Sequence, residues 1–258
     1  GMQNSKVSVH VYNTRSQQTQ TMQTGTETDI YLPRLQFTPW ENQLCIQRLN
    51  RFQNQLDYLL ANPETGTSSL LLNEQSKTYI DITDDLIFLG NSGFIRSSEN
   101  SGYNHIYHYS KTGTLIKALT SGTFDVTQLI TFDKSQNTLY FQAARKTSTE
   151  REVYRVHLDG SGLTSLTAQA GTHSFEFLSG NRFYIHTYSN ANTPPKYSLF
   201  DIKGRFIRDL ETNAGLLNKM KGLKLSTKTF ITFKNAGGVT LHAWMIKPPD
   251  FDSTKRYP

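Results

Sequence analysis

Cysteine, alanine and long apolar runs are scarce in this sequence, and each scarcity excludes a class of structure. The single cysteine, Cys45, rules out an internal disulfide and, between Leu44 and Ile46, is expected to pack as a small hydrophobic residue. This usage suits the cytosol or a bacterial envelope protein without disulfides. No apolar run approaches about 18 residues, so we predict no membrane span in this chain. Alanine occurs only 10 times while aromatic residues make up 12% of the 258 residues, which favours strands over helices and an all-β protein.

Motifs for catalysis, cofactors and metals are also lacking. There is no Gly-x-Gly-x-x-Gly, P-loop, Cys-x-x-Cys or His-Glu-x-x-His, so no cofactor or metal ion is predicted. The run closest to Gly-x-Ser-x-Gly, at 90–93, is interpreted as a hairpin turn. Asp84-Asp85 is predicted to form a turn rather than an acid–base pair, because adjacent residues of an extended chain point to opposite sides. Three histidines in predicted strands are expected to be packed or surface residues: His105, His157 and His186.

The chain carries a net positive charge, but its basic residues are not concentrated in one stretch of the sequence. A net charge of +6 results from 27 Lys and Arg against 21 Asp and Glu. The basic residues are scattered, apart from a short cluster at Lys219, Lys221 and Lys224. Nucleic-acid binding requires a basic stripe interleaved with exposed aromatic residues. We therefore predict a solvated surface and no nucleic-acid partner.

A unit of about 45 residues recurs four times and organises the chain. Each unit has a short leading strand, a second strand after a tight turn, a polar loop, a third strand that is often aromatic, and a Gly-containing turn before a fourth strand. The second strands are anchored by Leu44, Phe94, Leu139 and Phe183, which lie 50, 45 and 44 residues apart. Four short antiparallel strands per unit are typical of a β-propeller blade, whereas a β-sandwich would not repeat this order four times. We predict a partial β-propeller of about four to five four-stranded antiparallel blades.

The start of the chain does not fit a whole unit. Residues 1–24 are predicted to be an incomplete blade with only its last two strands, at Val7–Asn13 and Gln18–Gln23. Residues 25–211 then hold about four blades. Gly1-Met2 is typical of the remnant of an expression tag.

The remaining segment, residues 212–258, is predicted to combine a short helix with a terminal β-hairpin. Leu216, Leu217 and Met220 have helical spacing within Asn213–Met220, which Thr212 or Asn213 would cap. A hairpin with a Gly-rich turn is predicted to follow, and Pro248-Pro249 to end it. Its strands are predicted at Phe230–Phe233 and Thr240–Ile246.

Several segments, taken in order, resemble the dipeptidyl peptidase IV family of bacterial type. The run 98–107, Ser-Glu-Asn-Ser-Gly-Tyr-Asn-His-Ile-Tyr, is similar to a stretch of that family's propeller. The segments Tyr31–Phe37 and Gln47–Asn54 resemble the family's Tyr-(Leu/Ile)-Pro-Arg strand and the Asn-Arg-containing loop after the next strand. Gly238–Phe251 resembles the hairpin that leads into the α/β-hydrolase domain of prolyl-oligopeptidase relatives. The resemblance covers nearly the whole chain and places it in the C-terminal part of the N-terminal propeller region.

The resemblance implies a parent enzyme that is a serine exopeptidase of the bacterial periplasm or cell envelope. Such an enzyme removes dipeptides from peptide N-termini, with Pro or Ala preferred in second place, by acyl transfer from a Ser-His-Asp triad. The family's triad is expected beyond Pro258, and its paired glutamates, which hold the substrate amine, before Val7. The family's Phe-Arg substrate contact has no match near Asp84–Leu86, where the loop is short. We therefore predict no catalytic, substrate-binding, cofactor-binding or metal-binding residue in this chain. Its predicted role is to gate and position peptide substrates for the parent enzyme.

Two interpretations stay open at this point. In the first, the chain is a non-catalytic propeller portion of such a peptidase. In the second, it is an autonomous propeller that binds a protein or glycan. Blades stack face to face, so an incomplete ring exposes sheet faces and edge strands, and we expect the chain to self-associate through them.

Overall fold

The computed structural model describes residues 5–257, so Gly1-Met2 lies outside the described part of the chain. The chain divides into two compact units. The first comprises residues 1–122 with 158–160, and the second comprises residues 123–157 with 161–258.

The described residues of the first unit form a two-stranded ribbon and two four-stranded sheets, all antiparallel. In each four-stranded sheet, strands that follow one another in the chain are neighbours. The ribbon is β1 (His10–Asn13) and β2 (Gln18–Thr21), and the first sheet is β3 (Ile30–Phe37), β4 (Leu44–Asn50), β5 (Gln55–Ala61) and β6 (Ser68–Gln75). The second sheet is β7 (Leu86–Phe88), β8 (Phe94–Ser98), β9 (His105–Tyr109) and β10 (Leu115–Ala118).

The second unit has two further four-stranded antiparallel sheets in its described residues, followed by a helix and a hairpin. Its first sheet is β11 (Val126–Asp133), β12 (Thr138–Ala143), β13 (Glu152–His157) and β14 (Thr164–Ser165). Its second sheet is β15 (Thr172–Phe177), β16 (Phe183–Asn190), β17 (Thr193–Asp201) and β18 (Phe206–Glu211). The helix α1 (Ala214–Lys221) precedes the hairpin of β19 (Lys228–Lys234) and β20 (Thr240–Ile246).

Strand β5 illustrates how a central strand is buried on both faces. Leu59 and Ala61 belong to the core shared with residues beside the ribbon β1–β2. Leu56 and Tyr58 occupy the alternate positions and belong to the core shared with the sheet β7–β10. Successive side chains of a strand point to opposite faces, so this sequence fills two interfaces at once. Cys45 lies in the same core as Leu56 and Tyr58 and is 1% exposed, which confirms its predicted role as a small hydrophobic residue.

The four predicted units and their strand order are confirmed, and the chain is an all-β partial propeller. Four four-stranded antiparallel sheets are present among residues 5–257, at the lower end of the predicted four to five blades. Within residues 5–257, no helix has the length and hydropathy needed to cross a bilayer. The proposed domain boundaries at residues 24 and 211 stay a prediction.

The fourth unit differs from its prediction, because the polar loop expected between its second and third strands is mostly strand. Strand β16 runs on to Asn190 and β17 already begins at Thr193. Pro194 and Pro195 are tolerated there because β18 pairs with β17 only from Tyr197 onward, so their missing N–H groups remove no bond to β18.

The helix forms where predicted, but its cap differs. Asn213 is the N-cap residue, yet its side chain makes no hydrogen bond to the helix. Its backbone has a left-handed φ of 54°, and its Nδ2 atom donates instead to the carbonyl of Pro195 at 2.5 Å. The sequence therefore predicted the N-cap residue correctly. It did not predict that the side chain of Asn213 would bond to Pro195 instead of to the helix.

Candidate functional site

The two adjacent carboxylates of the first unit have separate partners. Asp84 accepts a hydrogen bond from Nε of Arg34 at 2.5 Å, and both side chains of this ion pair are well exposed. Asp85 accepts from the hydroxyl of Ser97 at 3.0 Å. The structure thus does not bring the two carboxylates together as an acid–base pair, and Asp84 forms a bend as expected.

A small cleft of about 130 Å³ lies beside the Arg34–Asp84 pair. Its lining includes Gln36, Gln47 and the buried Cys45. Burial raises the pKa of the Cys45 thiol to about 12, so the reactive thiolate is not populated at neutral pH. The cleft therefore offers no reactive thiolate.

The motif at 98–107 is held together by a chain of hydrogen bonds around His105. The ring Nε2 of His105 donates to the carbonyl of Gly122 at 3.0 Å. Its Nδ1 is consequently an acceptor, and the hydroxyl of Thr120 donates a hydrogen bond to it at 3.1 Å. The same hydroxyl oxygen accepts the backbone N–H of Ile106 at 3.0 Å. The histidine of the motif therefore fastens β9 to the segment 119–122, which confirms its expected packed role.

A buried ion pair fixes the start of the same motif. Arg96 on β8 contacts the carboxylate of Glu74 on β6, and the hydroxyl of Ser98 donates to the other oxygen of that carboxylate. The guanidinium carbon of Arg96 also lies 4.9 Å from the ring centre of Tyr58. Both charged side chains are nearly inaccessible, at 6% and 11% exposure. The cluster therefore ties two stacked sheets of the first unit together.

Sequence reasoning missed this ion pair, although one signal was present. Arg96 stands within an otherwise uncharged predicted strand, directly after the apolar Phe94 and Ile95. A charge in such a strand requires a buried partner, but the sequence does not indicate which distant acid supplies it. Glu74 is 22 residues away and lies on the neighbouring sheet.

The histidines do not form a metal centre in the described part of the chain. Across residues 5–257, no three His, Cys, Asp or Glu side chains cluster in a way that could hold a metal ion. His157 Nδ1 instead lies 3.0 Å from the hydroxyl of Thr138. His186 forms a pair with His173, which is a contact that the sequence did not indicate.

The hairpin β19–β20 is exposed on both faces. Phe230 pairs with Trp244 on one face, and their exposures are 52% and 59%. Phe233 pairs with Leu241 on the other face, with exposures of 51% and 39%. The first face also carries Lys228, whose ammonium nitrogen lies 4.5 Å from the Trp244 ring centre. The hairpin thus has one basic, aromatic face and one apolar face, and the described residues cover neither.

The segment 212–258 also carries the surplus of positive charge. It holds eight of the 27 Lys and Arg residues and two of the 21 Asp and Glu residues, a surplus of six that equals the net charge of the chain. Residues 1–211 are therefore neutral overall. A basic segment with exposed aromatic and apolar side chains is suited to contact another folded surface.

Consecutive four-stranded antiparallel sheets define the class, which is a partial β-propeller. The chain belongs to the family described as the dipeptidyl peptidase IV (DPP IV) N-terminal region, whose model matches residues 1–195. The predicted family resemblance is confirmed.

Curated relatives from fungi support the same family. Dipeptidyl peptidase 4 of Arthroderma otae is 32% identical over 197 residues, covering 75% of this chain and 25% of the relative. Dipeptidyl peptidase 4 of Trichophyton rubrum is 27% identical over 267 residues, covering 99% of this chain and 34% of the relative. The chain therefore spans about a quarter to a third of the length of the curated relatives that it matches.

Solved structures match the whole fold. The crystal structure of Porphyromonas gingivalis dipeptidyl peptidase 4 superposes with a TM-score of 0.93 at 34% identity, covering 99% of this chain and 37% of that chain. A putative dipeptidyl aminopeptidase IV from Bacteroides ovatus gives a TM-score of 0.86 at 24% identity, covering 100% of this chain and 40% of that chain, which supports the fold alone. The chain thus corresponds to about two fifths of each of these two solved chains.

Proposed function

We propose that this chain is the propeller portion of a serine-type dipeptidyl peptidase of the prolyl-oligopeptidase kind. The parent would remove N-terminal dipeptides with Pro or Ala in second place, in the periplasm or cell envelope of a bacterium. Support comes from the match to the Porphyromonas gingivalis enzyme, which extends over 99% of the chain. The propeller would restrict entry to peptides with a free, slender end and orient them for cleavage elsewhere in the enzyme.

The hairpin β19–β20 is the observation that carries this proposal. An isolated two-stranded hairpin is at best marginally stable in water, and this one exposes large apolar side chains on both faces. Strands that are buried on both faces are characteristic of α/β sheets, where helices cover each side. We assign the hairpin to the junction with an α/β-hydrolase domain, which would supply the Ser-His-Asp triad and the oxyanion hole for acyl transfer.

The proposal is tested by activity of the parent protein on a Gly-Pro anilide. We expect turnover that a serine-directed organophosphate abolishes, and no turnover by the purified chain alone. Absence of turnover by the parent would favour an autonomous binding propeller. Inhibitor-sensitive turnover by the purified chain would instead place a catalytic centre within it.

A matched pair of variants tests the junction itself. Phe233→Asp places a charge on the apolar face of the hairpin and is expected to lower kcat/KM of the parent at least about tenfold. Phe52→Asp changes a side chain that is 82% exposed in the loop between β4 and β5, and is expected to leave activity unchanged. Equal activity of the two variants would contradict the assignment of the hairpin to a domain junction.

A further inference from the structure

Two histidines of the second unit share a hydrogen bond that fixes which nitrogen donates and which accepts. His173 Nδ1 lies 2.8 Å from His186 Nε2, and His173 Nε2 lies 2.8 Å from the carbonyl oxygen of Gln169. A carbonyl accepts only, so Nε2 of His173 carries a proton and its Nδ1, in the neutral ring, is the acceptor. His186 must therefore donate from Nε2. The His173 ring must be neutral in this arrangement, and the His186 ring donates from Nε2 when it is neutral.

The pair holds the connection that enters the sheet β15–β18. This connection runs from β14 to β15, and its carbonyls at Gln169 and Ala170 accept hydrogen bonds from His173 and from the hydroxyl of Tyr188. The His173 ring also packs on Tyr188, with ring centres 4.9 Å apart. The position of residues 169–170 therefore depends on the orientation of the His173 ring, which the hydrogen bond to His186 sets.

We propose that His173 and His186 form an acid-sensitive clasp, which fixes the connection between β14 and β15 at neutral pH and loosens it on acidification. One added proton can reside on His186 Nδ1 and leave the bond between the rings intact. A second proton must reside on His173 Nδ1, where it faces the donor of His186 and breaks that bond. Acidification therefore breaks the clasp at the second protonation.

The surroundings of the pair oppose protonation more than they support it. Aromatic rings lie close to His186, with the ring centres of Phe175 and Phe200 at 5.0 and 5.7 Å. Lysines contribute unfavourable charge, whereas the glutamates at the start of β13 and in the loop before it contribute favourable charge. The charged groups that act on the pair are Lys146, Glu150, Glu152 and Lys196.

The direction of the pKa changes agrees with this geometry. Burial lowers the pKa of His173 below its usual value. Burial, followed by the charges of His173 and Lys196, lowers the pKa of His186 to about 4. Unfolded histidines take up protons near pH 6.5, so the stabilisation by the pair is complete above that pH and is lost as the pH falls towards about 4.

Imidazole nitrogen NMR of the full chain tests the clasp directly. We expect both rings to be neutral at pH 7 with the proton on Nε2, and His186 to titrate well below pH 6. Hydrogen exchange, corrected for the intrinsic rate, should show residues 169–173 losing protection on acidification before the rest of the sheet does. A native His186 that titrates near pH 6.5, or a proton on Nδ1 of either ring at pH 7, would overturn the proposal.

A variant pair distinguishes the clasp from general acid destabilisation. His186→Gln retains a donor for His173 but removes one titrating ring, whereas His242→Gln removes a histidine of the hairpin, outside the pair. Between pH 7 and pH 4.5, the folded-to-unfolded ratio should fall at least about tenfold more in wild type and in His242→Gln than in His186→Gln. Equal losses in all three proteins would refute the clasp. If His186→Gln does not fold, the NMR titration of the wild-type protein still decides.

Discussion

The turn residue Gly113 lies directly against the backbone carbonyl of Leu71, so that a Cβ atom built on the glycine would be 1.8 Å from that oxygen. Gly113 joins β9 to β10, while Leu71 belongs to β6 of the preceding sheet. The equivalent turn of the preceding unit repeats the contact, since a Cβ on Gly66 would be 2.2 Å from the carbonyl oxygen of Thr21. Both glycines also have a positive φ, of 78° and 75°. These turns therefore require glycine for conformation and for close approach between sheets.

Gly113→Ala should lower the free energy of unfolding by more than the cost of placing alanine at a positive φ. Alanine at a positive φ costs about 1 kcal/mol, and displacement of the Leu71 carbonyl should raise the total to about 2–4 kcal/mol. Urea unfolding measures the difference. Gly180→Ala is the matched control, because Gly180 has the same φ of 78° and nothing within 4 Å of its added Cβ. If both variants lost a similar amount of unfolding free energy, the contact between the two sheets would contribute nothing to the cost of Gly113→Ala.

Breaking the Arg96–Glu74 pair should be far more damaging than replacing it. Glu74→Leu leaves a buried guanidinium without its partner, which costs about 3–5 kcal/mol. Combining it with Arg96→Met removes the charge as well and should restore most of the free energy of unfolding. Asp84→Ala, which breaks an exposed pair, should change stability by less than about 1 kcal/mol. A double variant no more stable than Glu74→Leu would contradict this account.

Cys45 should be inert in the folded chain. It is buried, so an aromatic disulfide reagent cannot reach the thiol. Burial also raises its pKa to about 12, so the thiol is not ionised at pH 8. We expect one thiol per chain to react at once in denaturing urea, and reaction in the native protein to be slower by at least about a hundredfold. Rapid native labelling would mean that the sheet β3–β6 opens readily.

Strand order could be predicted from the sequence because the aromatic and β-branched runs recur with Gly-containing turns between them. The strand Thr240–Ile246 has the same bounds in prediction and structure. The strand extensions in the fourth unit could not be predicted, because Pro194 and Pro195 argue against a strand unless the missing bonds to the neighbour are known. We also could not predict two side-chain pairs from the sequence, His173–His186 and Arg96–Glu74. Such contacts depend on which faces meet, and residue spacing does not encode that.

The edge of the ribbon β1–β2 is a second place where the chain exposes apolar surface. A groove of about 340 Å³ lies between β1 and β3, and its lining includes Tyr12, Leu35 and Phe37, which are 57%, 52% and 67% exposed. Strand β1 has β2 as its only partner among the described residues, so its other edge offers unpaired backbone groups beside this groove. An extended strand could pair with that edge and bury these three side chains together.

The purified chain should therefore self-associate, with a second copy of the same chain supplying the added strand. Light scattering across about a hundredfold range of concentration should show a rising mean mass, because association depends on concentration. Phe37→Asp should shift the midpoint to at least about tenfold higher concentration, since it puts a charge into the apolar groove. Phe52→Asp adds the same charge on a solvated loop and should leave the midpoint unchanged. A monomer throughout the range would refute this prediction, and equal shifts for the two variants would mean that net charge, rather than the groove beside β1, governs the association.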